Sequence, residues 1–178
     1  MLGSGGTMEG AAIRTLYLVS VGLHIVAAAA WLGGMLFLVL VLVPALRAPA
    51  LAPHATAAIR VVGVRYRTFG WLTLLVLVAT GSVNAWFRAG DAAALADPAW
   101  WANPFGRLLA MKLALVGTVL VLSAVHDFHV GPRAGRLMAE APGAPATARW
   151  RAAARLLGRV NLLLALAIVA LAVRLVRG

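Results

Sequence analysis

Thr15–Ala45 reads TLYLVSVGLHIVAAAAWLGGMLFLVLVLVPA, a stretch with no acidic or strongly basic side chain. About 20 apolar residues suffice for a helix to cross the ~30 Å hydrocarbon core of a bilayer. The run exceeds that, so a helix made from it tilts or projects beyond the membrane, and Pro44 marks its end. A water-soluble chain of 178 residues has no core large enough to hide such a segment. The surplus apolar surface has to face lipid.

Three further runs lie downstream, at about residues 68–87, 107–126 and 156–175, each close to one bilayer thickness as a helix. None alternates apolar and polar residues in the manner of a barrel strand, and no internal repeat is evident. The expected fold is therefore all-α, an integral membrane four-helix bundle. Residues 1–14 are expected to form a flexible N-terminus, since Met1–Gly10 is glycine-rich and lacks the basic start of a secretory signal. Residues 15–178 then form a single membrane domain, with the first crossing at about 15–45.

Composition agrees. Hydrophobic residues make up 63% of the chain and charged residues 12%, with a mean hydropathy of +0.94, against about 25% charged in an ordinary soluble domain. The net charge of +11 would point to nucleic acid in a soluble protein. Here the arginines fall between the apolar runs, where they anchor helices at the headgroups, so the expected partner is the bilayer and nucleic acid is excluded. Cysteine is absent, which removes disulfides, thiolate metal sites and thiol catalysis. There is no Walker loop, HExxH or serine triad, and the five acidic residues are too scattered for paired-carboxylate chemistry. No catalytic residue is assigned, and whether the chain is an enzyme stays open.

The segment Arg47–Arg67 carries four arginines and no acid, and Asp127–Arg155 carries five arginines against Asp127 and Glu140. Between the second and third runs, Asp91 and Asp97 outnumber Arg88. The positive-inside rule then puts both termini outside the cytoplasm in a bacterial-type inner membrane, with Arg174 and Arg177 arguing mildly the other way. The prolines and the pair Trp100–Trp101 of ADPAWWANPFGR read as an interfacial segment in the aromatic belt.

Polar side chains inside a membrane span cost several kcal/mol, so each is a candidate for function as well as for helix–helix hydrogen bonding. At about 1.5 Å per residue, His24 lies roughly 13 Å below Thr15 and Lys112, the single lysine, roughly 8 Å below Arg107. Asn84, with Trp86 nearby, approaches the same level from the second run. An imidazole, an amide and an amine in one dry cavity are able to ligate haem iron or copper, or to handle a proton. A second level is formed by His126-Asp127-Phe128-His129, in which the two histidines are three apart and share a helical face, a spacing that suits a metal. They also sit where a helix C-terminal dipole favours them, just before Gly131 and Pro132. Asn161 and Arg159 begin the fourth run at this level. Met35 and Met111 are soft sulfur donors in principle, but isolated methionines usually serve as packing filler. Gly33, Gly34 and Gly81 are expected to allow close helix approach.

Three stretches taken together resemble the copper-resistance protein D (CopD) family: LHIVAAAAWLGGMLFLVLVLVP from Leu23, FGWLTLLVLVATGSVNAWF from Phe69, and NPFGRLLAMKLALVGTVLVLSAVHDFHVGPRAGR from Asn103. The features that carry it are the histidine followed by tryptophan and a double glycine, the TG-x-x-N-A of the second run, and the G-R-L-L-x-x-K-L opening the third. The resemblance implies copper handling or transport across the inner membrane, with copper or haem b as the metal centre. A more distant similarity to HemJ-type protoporphyrinogen oxidases implies haem-linked chemistry at His24 and Lys112. The chain departs from larger copper-resistance proteins in having four helices, and in placing HDFH where an asparagine-arginine pair is common. On this reading His24, Lys112 and Asn84 are the candidate cofactor-binding residues, and His24, His126 and His129 the candidate metal ligands. The alternatives are a haem b membrane oxidoreductase and an accessory subunit of a larger membrane complex, joined to other subunits or to a homo-oligomer.

Overall fold

The computed structural model describes residues 4–177, with side chains described for residues 10–176, and all regular structure among them is helical. The elements are α1 (Ser4–Phe37), a π-helical turn (Leu38–Leu42), α2 (Val43–Ala45), a 3-10 turn (Ala52–His54), α3 (Ala55–Ala89), α4 (Ala92–Ala96), α5 (Pro98–Ala102), α6 (Pro104–Val125), a second π turn (His126–Val130), α7 (Gly131–Glu140) and α8 (Pro145–Arg177). Four continuous helical stretches are long and apolar enough to cross a membrane: Gly10–Ala45, Ala52–Ala89, Pro104–Glu140 and Pro145–Val176. The chain is an all-α membrane bundle.

The helices outrun the apolar segments that identify them. Helix is present from Ser4, within the segment 1–14 expected to be a flexible N-terminus; residues 1–3 lie outside the described residues. Propagating a helix costs far less than starting one, so an apolar core long enough to nucleate carries its flanks with it. The same holds for the arginine-rich segments expected as loops. Arg60, Arg65 and Arg67 lie inside α3 and Arg149, Arg151 and Arg155 inside α8, which leaves connections of only about residues 46–51 and 141–144. Arginine is a good helix former. Its long side chain reaches the headgroups from a helix that projects beyond the hydrocarbon. A stretch of 38 residues such as Ala52–Ala89 is ~57 Å long, well over the hydrocarbon thickness.

α1 packs along α3 and α6 along α8, and α1 also meets α8. The start of α1 and the end of α8 share one end of the bundle with α4 and α5, here termed the terminal end; the two short connections form the other, the connecting end. Midway, Trp31, Leu74, Val119 and Ala165 meet in an apolar layer, one residue from each long helix. Elsewhere many buried positions are small or hydroxylated, among them Ala27, Gly70, Thr73, Thr80 and Ser123, beside a few larger ones such as Leu109 and Val130. Large apolar side chains instead point outward, among them Leu18, Val26, Leu40, Leu75, Val121 and Leu163. That inversion is what lipid selects, since hydrocarbon outside the bundle leaves close packing and interhelical hydrogen bonds to hold the helices together.

At the terminal end, α4, α5 and α6 each start on a side-chain cap. Asp91 Oδ1 accepts from the Ala94 N–H (2.7 Å), Asp97 Oδ1 from the Ala99 N–H (2.9 Å) and Asn103 Oδ1 from the Gly106 N–H (2.8 Å). Pro98 and Pro104 occupy the first helical positions, where no N–H is needed. Gly106 is buried directly beneath the backbone of Trp100 and Trp101, leaving no room for a Cβ. Gly106→Ala is therefore expected to push α5 off α6 and cost about 1–3 kcal/mol, read as a lower unfolding midpoint in detergent. An unchanged midpoint would contradict this packing.

Candidate functional site

Two polar levels flank the apolar layer. Toward the terminal end, His24 on α1 is half-buried against α3, where its Nδ1 lies 2.9 Å from Thr80 Oγ1. The Thr80 hydroxyl has one proton, and it is donated to the Val76 carbonyl at 2.6 Å. Thr80 Oγ1 must therefore accept from His24, which fixes the Nδ1–H tautomer and leaves Nε2 as an unprotonated lone pair. Ser20, one turn earlier, donates to the Thr80 carbonyl at 3.3 Å and fastens α1 to α3 at the same place. A Cβ on Gly81 would lie 3.3 Å from His24 Cε1, so the absent side chain makes room for the ring.

Lys112 on α6 is half-buried and makes no hydrogen bond to the imidazole. Among the described residues it forms no ion pair. Asn84, one turn beyond Thr80 on α3, has its Oδ1 buried without a hydrogen-bond partner. The structure thus seats His24 against Thr80 of α3, with no hydrogen bond between His24 and Lys112. Asn84 sits on the neighbouring turn, with no hydrogen bond to either.

Thr80→Val, which keeps the shape of the side chain, is expected to release the imidazole from its fixed tautomer. Nitrogen NMR of histidine-labelled protein should show Nδ1–H for His24 in the wild type and a mixture in the variant, with a stability loss of about 0.5–1.5 kcal/mol.

At the connecting end, a cleft of about 210 Å³ is lined by Met35, Tyr66, Gly70, Ser123, His126, Asp127 and Asn161, together with Trp31 and Leu74 from the layer above. His126 Nδ1 lies 2.8 Å from Asp127 Oδ1, while Trp71 Nε1 donates to Asp127 Oδ2 at 3.0 Å and Arg67 donates to the Asp127 backbone carbonyl, also at 3.0 Å. A carboxylate only accepts, so His126 donates through Nδ1 and turns the Nε2 lone pair away from the carboxylate. A carboxylate behind a histidine is the arrangement that orients metal-ligating imidazoles. Asn161 is buried, donates Nδ2 to Ser123 Oγ at 2.9 Å and leaves Oδ1 without a partner.

His129 does not join this group. It is exposed, with its ring edge-on to Trp150 at 5.7 Å between centroids. The expectation of a shared face assumed α-helical spacing, whereas His126–Val130 is a π turn, closed by i→i+5 bonds. The wider turn brings the adjacent His126 and Asp127 to one cleft and swings His129 away. Arg159 is also exposed and is not a partner of the group. Among the described residues no three histidine or carboxylate side chains converge as a metal-binding group, so any ion held here needs donors of other kinds.

Sequence reasoning missed Thr80, Trp71 and Tyr66. Tyr66 donates its hydroxyl to the Trp31 carbonyl at 2.8 Å and forms part of the cleft wall. The indole of Trp71 carried a weak signal, since a tryptophan N–H inside a membrane needs an acceptor. Thr80 carried almost none, because a threonine in a membrane helix usually satisfies itself on its own backbone.

Comparison with known proteins adds two findings. The Copper resistance protein D (CopD) family profile matches residues 61–175. An uncharacterized protein of Aquifex aeolicus (strain VF5) is 34% identical over 154 residues, covering 86% of this chain and 90% of the relative. No solved structure matches.

Proposed function

Since the chain belongs to the copper resistance protein D family, we propose that this multi-pass inner-membrane protein handles copper by holding the ion between its helices, at the connecting end of the bundle. The observation that carries the reading is the His126–Asp127–Trp71 arrangement. An imidazole lone pair is presented at a cleft while the carboxylate behind it is held in place by an indole N–H.

Electrostatics favours this level over the other as a resting place. A cation at His126 has the Asp127 carboxylate beside it, whereas no carboxylate is in contact with His24 among the described residues. His24 then serves as a passing point, with Nε2 as a transient ligand. The apolar layer of Trp31, Leu74, Val119 and Ala165 lies between the two levels. Fourteen residues of helix separate Lys112 from His126, a rise of ~21 Å, so movement between levels requires the helices to shift. We place the connecting end on the cytoplasmic side, because Arg47, Arg60, Arg65, Arg67, Arg133 and Arg136 gather there. The cleft's volume of about 210 Å³ suits an ion; drug-sized ligands, of which a porphyrin is a large example, occupy ~300–1,000 Å³.

Elemental analysis of the full chain, purified in detergent after incubation with copper, tests the reading. The expected result is about one copper per chain in the wild type and in His24→Ala, and loss of most of it in His126→Ala. Equal copper in wild type and His126→Ala, or none in the wild type, would overturn it.

A further inference from the structure

We propose that the cleft at the connecting end selects the cuprous ion, taken between the Met35 thioether and His126 Nε2, with Asp127 as its counter-charge and Asn161 Oδ1 as an additional oxygen donor; this rests on the copper-handling function proposed above.

The donor set is the first support. The cleft offers one thioether, one imidazole nitrogen and amide, hydroxyl and carboxylate oxygens. No third histidine or carboxylate converges among the described residues. Cupric and zinc ions favour three or four nitrogen and oxygen ligands, whereas a cuprous ion is satisfied by few and soft ones. Met35 and Met111 differ in this respect: Met111 is exposed on the outer surface of α6, and Met35 is half-buried in the cleft wall. The unbranched Met35 side chain has the freedom to bring its sulfur onto an ion beside His126.

Charge is the second support. Asp127 is the one acidic side chain at the cleft, and its oxygens bond to His126 and Trp71, with no arginine or lysine in ion-pair contact. The Arg67 guanidinium already donates to the Asp127 backbone carbonyl, so positive charge is at hand and a singly charged ion adds the least to it. A doubly charged ion would add one more uncompensated unit among apolar walls, which is costly in a low-dielectric interior.

Two further observations do not depend on the thioether or on the charge count. Asn161 is only 7% exposed and its Oδ1 has no partner, a condition buried carbonyl oxygens rarely keep unless something binds them. In addition, both π turns of the chain's described residues border this cleft, through Leu38 and Val39 of one and His126 and Asp127 of the other. π turns recur at functional sites because the extra residue re-aims side chains that an α-helix would hold apart.

The test is copper X-ray absorption on the full chain in detergent under anaerobic conditions, paired with competition against a chromogenic cuprous chelator. A sulfur scatterer is expected on copper in the wild type. Met35→Leu, which preserves volume, should remove that scatterer and weaken cuprous binding at least tenfold, and Met111→Leu should do neither. Copper bound by nitrogen and oxygen alone, or unchanged affinity in Met35→Leu, would overturn the cuprous assignment and leave the copper function standing. A wild type that binds no cuprous ion but retains cupric ion at His126 would do the same. Binding of neither ion would overturn both.

Discussion

Asp127→Asn is expected to weaken copper binding at the connecting end by roughly 10- to 100-fold, the usual effect of removing the partner behind a metal-ligating histidine. The substitution keeps the shape of the side chain and removes its charge. In the native chain the carboxylate accepts from His126 Nδ1 at 2.8 Å and from Trp71 Nε1 at 3.0 Å, while its backbone carbonyl accepts from Arg67. An asparagine has one oxygen and an amide that only donates, so one of the two N–H groups loses its acceptor. Either His126 becomes free to turn or Trp71 is left unpaired, and the ion loses its counter-charge in both cases. Arg67 is unaffected, because it binds the main chain. A competition titration reads the affinity, and circular dichroism reports whether the bundle stays folded. Unchanged affinity in a folded variant would show that the carboxylate has no part in holding the ion.

The second large effect is mechanical. Gly34 lies where Tyr66 of α3 crosses α1, and a Cβ there would stand 2.5 Å from Tyr66 Cε2 and 3.2 Å from its hydroxyl oxygen. Contacts that close force the ring to move. The tyrosine is held from its far end by the hydrogen bond to the Trp31 carbonyl at 2.8 Å, and Trp31 belongs to the apolar layer. Gly34→Val is accordingly expected to separate α1 from α3 and destabilise the bundle by about 2–4 kcal/mol. Tyr66→Phe, which removes only the hydroxyl, should cost about 1 kcal/mol. Reversible unfolding in mixed detergent measures both. A Gly34→Val variant less destabilised than Tyr66→Phe would mean that the close approach is not what joins these helices. Because Met35, Tyr66 and Trp31 all line the cleft, Gly34→Val should lower copper affinity as well, whereas Gly106→Ala, at the opposite end, should not.

These two predictions draw unequally on what the sequence alone discloses. The four spans are legible because lipid demands long apolar runs, and Thr15–Ala45 is sufficient to exclude a soluble fold. Their ends are not legible from hydropathy. Arg60, Arg65, Arg67 and Arg149 read as loop residues by polarity but continue the helices, where Arg60, Arg65 and Arg149 are exposed and Arg67 turns inward to the Asp127 carbonyl. The glycines announce close approach, although which neighbour fills the space at Gly34 is a tertiary fact.

For the site, the depth of His24 and Lys112 follows from counting residues along their helices. Thr80 does not follow, since its hydroxyl already satisfies Val76 within its own helix and its second role as an acceptor depends on the register between α1 and α3. The histidines of HDFH illustrate the limit most clearly. Spacing by three places two α-helical residues on one face, and a π turn undoes that rule at this point in the chain. The turn packs against α8, which only the folded bundle brings near, so no local pattern foretells that His129 faces Trp150.

Copper-edge anomalous scattering from crystals of the full chain soaked in a copper salt under reducing conditions locates the ion directly. The account predicts one principal peak in the cleft, beside His126 Nε2 and facing Met35. A principal peak at the exposed His54 or His129, at His24, or no ordered peak at all would contradict it.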